Sequence, residues 1–415
     1  MGNLAPFSSN PAVINLNRIV NIARQSDTVL YLVGGSVRDQ IIGLPLKELD
    51  LVTLVKPDLF IAELKAKLNA KILSQSPYST YKLSIGETLV DVCMSRTESY
   101  PKAAGKPKIR PASIIMDMHR RDFSANAIAL PLFPSKSTRL IDPTNGLADI
   151  NSGSIRVLHH TSFIDDPTRI IRAIRYEQRL GFTIEQATFK LLLQDKKYLL
   201  LLPATKIRKI LEEISTEVKI EQIFNRILNL DLLPALNDFL LCLNKHHSSI
   251  HSIISVKPNV KYFEIFLGIS AWFLPKTQIV KLQKQLALTK QQLKLVDQVL
   301  IIKKLSSEIS KNNTCLSNIY FKCNQTSELS RMIAIHASSN SYFIKLLGEY
   351  ETKLKWIRPT LSNADICAKT GITEGPLLGQ VIRAIIAAKI DGTVYGKKQE
   401  AQLAANIVRA SCNIH

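Results

Sequence analysis

The sequence lacks the patterns that mark several classes of protein. Its 6 cysteines are scattered over 415 residues with no Cys-x-x-Cys pair, which excludes a zinc ribbon and a disulfide framework and is typical of a reducing compartment. No uncharged stretch approaches the roughly 20 residues that cross a membrane, and residues 1–28 lack an apolar run behind basic residues. We therefore expect a cytoplasmic protein with no membrane partner.

Acidic residues are scarce relative to basic ones. The chain has 34 Asp plus Glu against 54 Lys plus Arg, a formal net charge of +20, and such an excess favours polyanionic partners, with nucleic acid as the first candidate. Hydrophobic residues make up 46% and charged residues 21%, which is typical of a globular protein rather than a disordered one. The length indicates two or three packed units.

Proline is unevenly distributed, and it separates two kinds of sequence. Residues 1–160 contain 11 of the 18 prolines, together with three apolar runs of strand length at 29–33, 49–55 and 88–94. From Pro167 onward apolar residues recur at helical spacing. The pattern predicts a mixed α/β head followed by a mainly helical remainder.

A glycine pair, Gly34-Gly35, follows the first of these runs. Paired glycines let the backbone approach a ligand closely and turn N–H groups toward an anion such as a triphosphate. Most such pairs are only turns, so this pattern alone decides nothing.

Three acidic residues lie in the second and third runs. Glu48 and Asp50 are two residues apart, so in a strand their side chains share one face. Asp91 lies within an apolar strand, where an unpaired carboxylate is costly. Carboxylates on one face are typical ligands of Mg²⁺, which with substrate phosphates activates an attacking hydroxyl. The alternative for Asp91 is a water-exposed acid on an edge strand.

An arginine pair precedes a short acidic and apolar segment, Arg120-Arg121-Asp122-Phe123. Adjacent arginines can clamp phosphate or sugar through forked hydrogen bonds, and Asp122 can orient one of them. A solvated charge cluster would have the same sequence.

A second acid and arginine open a helix. Asp166 precedes Pro167, so its simplest role is that of an N-cap before a proline at the first helical position. Arg169 follows three residues later, and both side chains can reach one ligand from the first turn of the helix.

These segments together resemble a known family. The motifs GGSVRD, ELD, RRDFSANA, DPTNGLAD and DDPTR, in this order over residues 29–185, are similar to those of the class II tRNA nucleotidyltransferase (CCA-adding enzyme) and bacterial poly(A) polymerase family. The resemblance implies an α+β, polymerase-beta-like nucleotidyltransferase head over residues 1–150. It implies a helical neck with a base-reading motif at 151–225 and an all-α body and tail that bind tRNA at 226–415.

The resemblance also implies roles for single residues. Mg²⁺ would be bound by the three acids, Glu48, Asp50 and Asp91. The triphosphate would lie against Gly34 and Gly35, with Arg38 nearby, and the ribose would face Arg121 and Asp122. The base would be read by Asp166 and Arg169. Cytosine and adenine both present an amine donor beside a ring-nitrogen acceptor, so an acid and an arginine select these two bases without a template.

The implied activity is addition of C, C and A to tRNA 3′ ends from CTP and ATP, by Mg²⁺-assisted attack of the 3′-hydroxyl on the α-phosphate. A basic loop at residues 100–111 favours complete CCA synthesis over CC addition, since the family uses such a loop in passing from C to A. The alternatives are CC-only addition, A-only addition, poly(A) tailing, or a catalytically impaired RNA-binding paralogue. The last is motivated by Glu48, because the family usually has Asp there. The sequence does not indicate an oligomeric state.

Overall fold

The computed structural model describes residues 10–76, 78–134, 139–309 and 315–412. The chain forms two compact units, one of Met1–Lys206 with Glu217–Pro234 and the other of Ile207–Thr216 with Ala235–His415. The first boundary falls inside one helix, α9 (Ala204–Ile214). The functional division at residues 150 and 225 stays a prediction.

The first unit contains the strands and the shorter helices. Its strands are β1 (Leu30–Val33), β2 (Glu48–Thr53), β3 (Lys71–Ser76), β4 (Thr80–Ile85), β5 (Thr88–Met94), β6 (Arg96–Ser99), β7 (Lys108–Pro111), β8 (Ala129–Phe133), β9 (Ser154–Ile155) and β10 (Thr183–Ile184). Its α-helices are α1 (Pro11–Gln25), α2 (Gly34–Ile41), α3 (Asp58–Leu68), α4 (Ile114–His119), α5 (Gly146–Asn151), α6 (Ser162–Asp165), α7 (Thr168–Leu180), α8 (Gln186–Asp195) and α10 (Ile220–Asn229). Short 3₁₀ turns span Ser124–Asn126 and Lys196–Leu201.

A six-stranded sheet in the order β3-β4-β5-β2-β1-β8 forms the centre of this unit. The pair β2 and β5 is parallel, and the other neighbours are antiparallel. The three strands predicted from apolar runs are confirmed as β1, β2 and β5, which occupy the middle of the sheet. Their inward side chains Leu30, Leu49 and Val90 are fully buried and share a core with Ile19 and Ile22 of α1.

The segment after residue 150 is helical, as predicted, with one small correction. Strands β9 and β10, of two residues each, pair in parallel. Gly181 ends α7 in the left-handed conformation, at φ +70°, which a glycine adopts without strain. The chain can therefore turn back, so that Thr183 and Ile184 run alongside Ser154 and Ile155. This pairing has no sequence signal beyond the glycine.

The second unit is helical throughout its described residues. Its α-helices after α9 are α11 (Asn237–Lys245), α12 (His247–Val256), α13 (Tyr262–Phe273), α14 (Lys276–Leu286), α15 (Lys290–Glu308), α16 (Leu316–Asn324), α17 (Glu328–Ala337), α18 (Ser341–Thr352), α19 (Asn363–Thr370), α20 (Pro376–Ile390) and α21 (Gly396–Cys412). Two 3₁₀ turns lie at Pro234–Leu236, which crosses the boundary, and at Leu354–Trp356. None of the helices within the described ranges is long and apolar enough to span a membrane.

A buried carboxylate ties the end of this unit together. Glu400 of α21 is fully buried and accepts hydrogen bonds from the backbone N–H groups of Thr360 and Leu361 and from Nζ of Lys389, at 2.6 to 3.0 Å. Burial alone would raise the pKa of Glu400, but the hydrogen bonds from Lys389 and the two N–H groups outweigh it and lower the pKa.

We expect Glu400→Gln to lower the free energy of unfolding by about 3 kcal/mol at pH 7, because it leaves Lys389 without its buried counter-charge. A carboxylate with a lowered pKa in the folded chain stabilises it above the pKa of the unfolded chain, about 4.3, and this contribution is lost as the pH falls. Urea unfolding at several pH values should therefore show the difference shrinking below about pH 4.

The control is Glu308→Gln, which removes an exposed i,i+4 pair with Lys304 at 3.7 Å and should change stability by less than about 0.5 kcal/mol. A Glu400→Gln protein as stable as the wild type at pH 7 would show that the buried carboxylate contributes nothing.

Candidate active site

Two carboxylates are neighbours across the centre of the sheet. Asp50 of β2 is paired in register with Asp91 of β5, and these strands are parallel. Side chains paired in this way point to the same face of the sheet. Glu48 is two residues before Asp50 and shares that face, at the exposed first position of β2. The backbone thus brings the three predicted acids to one face.

The surroundings of Asp91 decide between its two interpretations. Strand β5 lies between β4 and β2, so the alternative of an edge-strand acid is wrong. Its partner in register on β4 is Lys82, which places a cation beside the carboxylates. The sequence alone gives no signal for Lys82, because only the pairing of β4 with β5 brings it beside Asp91.

The glycine pair lies against the carboxylate of Asp50. Gly34 has φ +69°, and a β-carbon on it would lie 2.8 Å from Nη1 of Arg121 and 3.4 Å from Oδ2 of Asp50. A β-carbon on Gly35 would lie 3.6 Å from the same Oδ2. The positive φ therefore favours glycine as the first residue of α2, and a β-carbon there would crowd the guanidinium of Arg121. The turn, Asp50 and Arg121 surround one small region.

Ser36 joins the glycine turn to the acidic strand. Its hydroxyl donates to the carbonyl of Glu48 at 3.0 Å and accepts from the N–H of Asp50 at 2.9 Å. These two bonds fix the start of β2 against the start of α2. In the sequence, the signal for a role of Ser36 is its place inside the GGSVRD motif.

The donor chemistry of the three acids fits a hard divalent cation. Carboxylate oxygens are the ligands that Mg²⁺ prefers, and Glu48, Asp50 and Asp91 offer three of them on one face. In the part of the chain that the structure describes, no three Asp, Glu, His or Cys side chains are grouped closely enough to hold an ion. Binding of Mg²⁺ by these three residues stays a prediction.

The arginine pair is held by a buried acid, so its interpretation as a solvated cluster is wrong. Asp117 of α4 is fully buried, and its Oδ1 lies 2.8 Å from Nη2 of Arg120 while its Oδ2 lies 3.0 Å from Nη2 of Arg121. The N–H of Arg96 also donates to Oδ1, at 3.1 Å. Burial alone would raise the pKa of Asp117, but the charges of Arg121 and Arg120 lower it.

The basic loop at 100–111 is part of a hairpin made by β6 and β7, which corrects its assignment as an irregular loop throughout. Glu98 of β6 lies 2.8 Å from Arg96 and 3.1 Å from Arg120, and it accepts a hydrogen bond from the hydroxyl of Tyr100 at 2.8 Å. Burial raises the pKa of Tyr100, and the neighbouring Glu98 charge raises it further. The hairpin is therefore joined to Arg120 by charge.

Asp122 has a different partner from the one predicted. We expected it to orient one arginine of the pair, but its Oδ2 lies 2.7 Å from Nη2 of Arg172 in α7. Its Oδ1 accepts from the N–H of Phe123 and from Nδ2 of Asn126 at 2.9 and 3.1 Å. Burial alone would raise the pKa of Asp122, and Arg172 and Asn126 lower it. Contact of Asp122 with a ribose stays a prediction.

Arg38 lies beside the glycine turn and is almost completely enclosed. Only 2% of its side chain is exposed, and it pairs with Asp39 at 2.6 Å. It donates to Oδ1 of Asn126 and stacks on the ring of Tyr176, 4.9 Å from the ring centre. A β-carbon on Gly35 would lie 3.5 Å from Nη2 of Arg38. The structure therefore places Arg38 beneath the turn that it was predicted to accompany.

The acid and arginine that open α7 are both anchored. Oδ1 of Asp166 accepts from the N–H and the hydroxyl of Thr168, the first residue of α7, at 3.2 and 2.8 Å, although the N-cap position is Pro167 rather than the predicted Asp166. Arg169 is 5% exposed and donates to the hydroxyl of Ser162 at 2.7 Å and to the carbonyl of Arg120 at 2.8 Å. The contact with Arg120 joins this motif to the arginine pair. Reading of a base by the two residues stays a prediction.

The DPTNGLAD motif supports the segment that follows the arginine pair. Asp142 accepts from the N–H groups of Gly146 and Leu147 at 2.7 and 2.9 Å, which caps α5. A β-carbon on Gly146 would lie 2.1 Å from the carbonyl oxygen of Ser124. The hydroxyl of Ser124 donates to Asp149 at 2.5 Å. The motif is therefore a structural support for the segment at 124–126.

Comparisons with known proteins agree with this geometry. Residues 30–156 match the poly A polymerase head domain. An A-adding tRNA nucleotidyltransferase of Geobacter sulfurreducens is 26% identical over 422 residues, which cover 96% of this chain and 47% of that protein. One from Halalkalibacterium halodurans is 39% identical over 179 residues, 43% of this chain and 42% of that protein. The matches thus span less than half the length of these two relatives.

Solved structures match over nearly the whole chain. The CCA-adding enzyme of Thermotoga maritima complexed with tRNA has a TM-score of 0.63 and 25% sequence identity, and the match covers 97% of this chain and 96% of that one. The predicted fold class, a polymerase head followed by a helical remainder, is therefore confirmed.

Proposed function

We propose that the protein is a template-independent nucleotidyltransferase that extends tRNA 3′ ends, from the premise that residues 30–156 match the poly A polymerase head domain. The proposal names CTP and ATP as donors and CCA as the product. It is supported by one observation above the others, the register that places Asp50 opposite Asp91 next to the Gly34–Gly35 turn. Carboxylates beside a turn that admits phosphate are what nucleotidyl transfer requires.

Different residues of the head would bind the metal ion and the nucleotide in this reaction. Glu48, Asp50 and Asp91 would hold Mg²⁺, which when bound supplies charge stabilisation at the reacting phosphate. The triphosphate would lie against the turn at Gly34 and Gly35, since a backbone without β-carbons lets a ligand approach closely. Arg121 would donate to the nucleotide from beside this turn. Its Nε–H is buried and meets no acceptor within the residues that the structure describes, which leaves a donor for a ligand.

Base choice would fall to Asp166 and Arg169 at the start of α7. The carboxylate of Asp166 would accept a hydrogen bond from the exocyclic amine of the base, and the guanidinium of Arg169 would donate one to the ring nitrogen. Cytosine and adenine share this pair of groups. Arg169 is fixed by Ser162 and by the Arg120 carbonyl, so its orientation does not depend on the nucleotide. A preorganised pair of this kind selects a base without a template strand.

The RNA partner is supported by charge. The net charge of +20 would attract the phosphates of tRNA, and binding through phosphate contacts weakens as salt rises. The match to the Thermotoga maritima CCA-adding enzyme complexed with tRNA extends over 97% of this chain.

A-only addition is the second candidate, and it is suggested by the names of two relatives. The two relatives described above are both A-adding enzymes. The hairpin β6–β7 favours the complete CCA reaction, because its basic loop is the feature that the family uses in passing from C to A.

The experiment that decides between these products uses tRNA transcripts that end before CCA, after C and after CC. Each is incubated with the full chain, Mg²⁺, and CTP, ATP or both, and the products are resolved at single-nucleotide length. Completion of all three transcripts with a stop at CCA supports the proposal. Extension of only the CC-ended transcript supports A addition, and a stop after CC supports CC addition. Long A tails indicate a poly(A) polymerase, and binding without extension indicates an RNA-binding paralogue.

Glu48→Asp tests whether glutamate is accepted at the first acidic position. We expect the rate of nucleotide addition to stay within about three-fold of wild type, because Glu and Asp offer Mg²⁺ the same oxygens. An increase of about a hundred-fold would show that the longer side chain misplaces the reacting groups and that the natural site is impaired. Glu48→Gln, which removes the charge, is the companion variant and should lose activity.

A further inference from the structure

We propose that Asp117 is a positioning residue for nucleotide binding, because its carboxylate holds the guanidinium of Arg121 against the Gly34 side of the site. The inference rests on the proposed function and assigns it a residue outside the acidic and base-reading motifs. Asp117 lies on α4, three and four residues before the arginine pair, so one turn of helix brings all three side chains together.

The contacts of Asp117 use both of its oxygens. Oδ2 lies 3.0 Å from Nη2 of Arg121, while Oδ1 is shared by Arg120 and the N–H of Arg96. The carboxylate is fully buried, where an ion pair is strong and its geometry is well defined. Asp117 thus fixes the guanidinium of Arg121 through its Nη2 atom.

The second terminal nitrogen of this guanidinium, Nη1, lies at the Gly34 turn of the candidate active site. Nη1 of Arg121 lies 2.8 Å from the place where a β-carbon on Gly34 would be, and Oδ2 of Asp50 lies 3.4 Å from that place. Nε of Arg121 is buried without an acceptor inside the described part of the chain. With Nη2 held by Asp117, Nη1 is oriented toward the Gly34 side of the site, and for this site the ligand is the nucleotide.

The two arginines depend on Asp117 to different degrees. Arg120 has a second acid, Glu98, at 3.1 Å, and its carbonyl holds Arg169. Arg120 therefore keeps an ionic partner when Asp117 is neutralised. For Arg121, the ion pair found among the described residues is the one with Asp117. Neutralising Asp117 should act mainly through Arg121.

The test uses the full chain with Asp117→Asn, Arg121→Met and the double variant. We expect Asp117→Asn to raise KM for CTP about ten-fold while kcat stays within about three-fold, because ground-state binding of the nucleotide is lost. In the Arg121→Met background the same change should add almost nothing, since two residues that act as one unit are not additive. Equilibrium dialysis of CTP with Mg²⁺ should show the same order of affinities. Asp117→Glu keeps the charge and should restore KM to within about three-fold of wild type.

The matched control is Asp195→Asn, another buried carboxylate, at 1% exposure on α8, and it should leave KM unchanged. Equal effects of Asp117→Asn with and without Arg121 would overturn the proposal, as would an unchanged KM. An Asp117→Asn protein that does not fold would assign the residue to stability and also overturn it. If the wild-type chain transfers no nucleotide, the proposed function fails, and CTP binding to the same variants then tests the inference separately.

Discussion

Replacing Asp50 by Asn is expected to lower the rate of nucleotide addition at least about a thousand-fold, while tRNA binding stays within about two-fold of wild type. We expect this loss because of where Asp50 lies. It is the register partner of Asp91 in the neighbouring strands β2 and β5, and its Oδ2 lies near the turn at Gly34 and Gly35. Asparagine keeps the shape and removes the charge, so the sheet should remain intact. Single-turnover extension of a transcript ending in CC measures the rate, and filter binding measures affinity.

The control for this variant is Glu87→Gln. Glu87 is an exposed acid in the turn before β5, close in sequence to Asp91 but outside the acidic face, and its removal should change the rate by less than about two-fold. Comparable losses in both variants would indicate a general effect of charge on this sheet. A fully active Asp50→Asn protein would remove the residue from the site.

Replacing Gly146 by Ala is expected to lower stability strongly. The added β-carbon would lie 2.1 Å from the carbonyl oxygen of Ser124 and 2.9 Å from its carbon, and neither backbone atom can move as a flexible side chain would. We expect the free energy of unfolding to fall by roughly 3 kcal/mol. Nucleotide addition should also fall, because Ser124–Asn126 contacts both Asp149 and Arg38. Urea unfolding and the extension assay measure the two effects.

Gly348→Ala serves as the control for the glycine substitution. A β-carbon at this position of α18 would meet nothing within 4 Å, and alanine in a helix stabilises by about 0.5 to 1 kcal/mol relative to glycine. The two variants should therefore change stability in opposite directions. Equal stabilities of Gly146→Ala and the wild type would show that α5 does not pack on Ser124 as described.

The centre of the head was predictable from the sequence, whereas the edges were not. Strands β1, β2 and β5 are short apolar runs buried between neighbours, and their burial produces the pattern that identifies them. Strand β3 is exposed at almost every position, so it has no apolar face to detect. Strand β8 contains Pro131 and lies at the end of the sheet order, where the missing N–H of proline is tolerated.

The candidate site was predictable in its residues but not in its contacts. The spacing of Glu48 and Asp50 places them on one face in any strand, and the addition of Asp91 required only that β5 pair with β2. The sequence offered no signal for Asp117, because a single acid in a short helix has no distinctive pattern. A motif also does not distinguish a ligand contact from a protein contact, and the structure gives Arg38 and Asp122 protein partners.

The central claim is that this chain extends tRNA at a site built on Asp50 and Asp91. The most direct measurement incubates the purified full chain with a tRNA transcript lacking CCA, Mg²⁺, CTP and ATP, beside the Asp50→Asn variant, and counts the nucleotides added. We expect the wild type to add three and stop, and the variant to add none in the same time. A wild-type protein that binds the transcript and leaves its length unchanged would contradict the account.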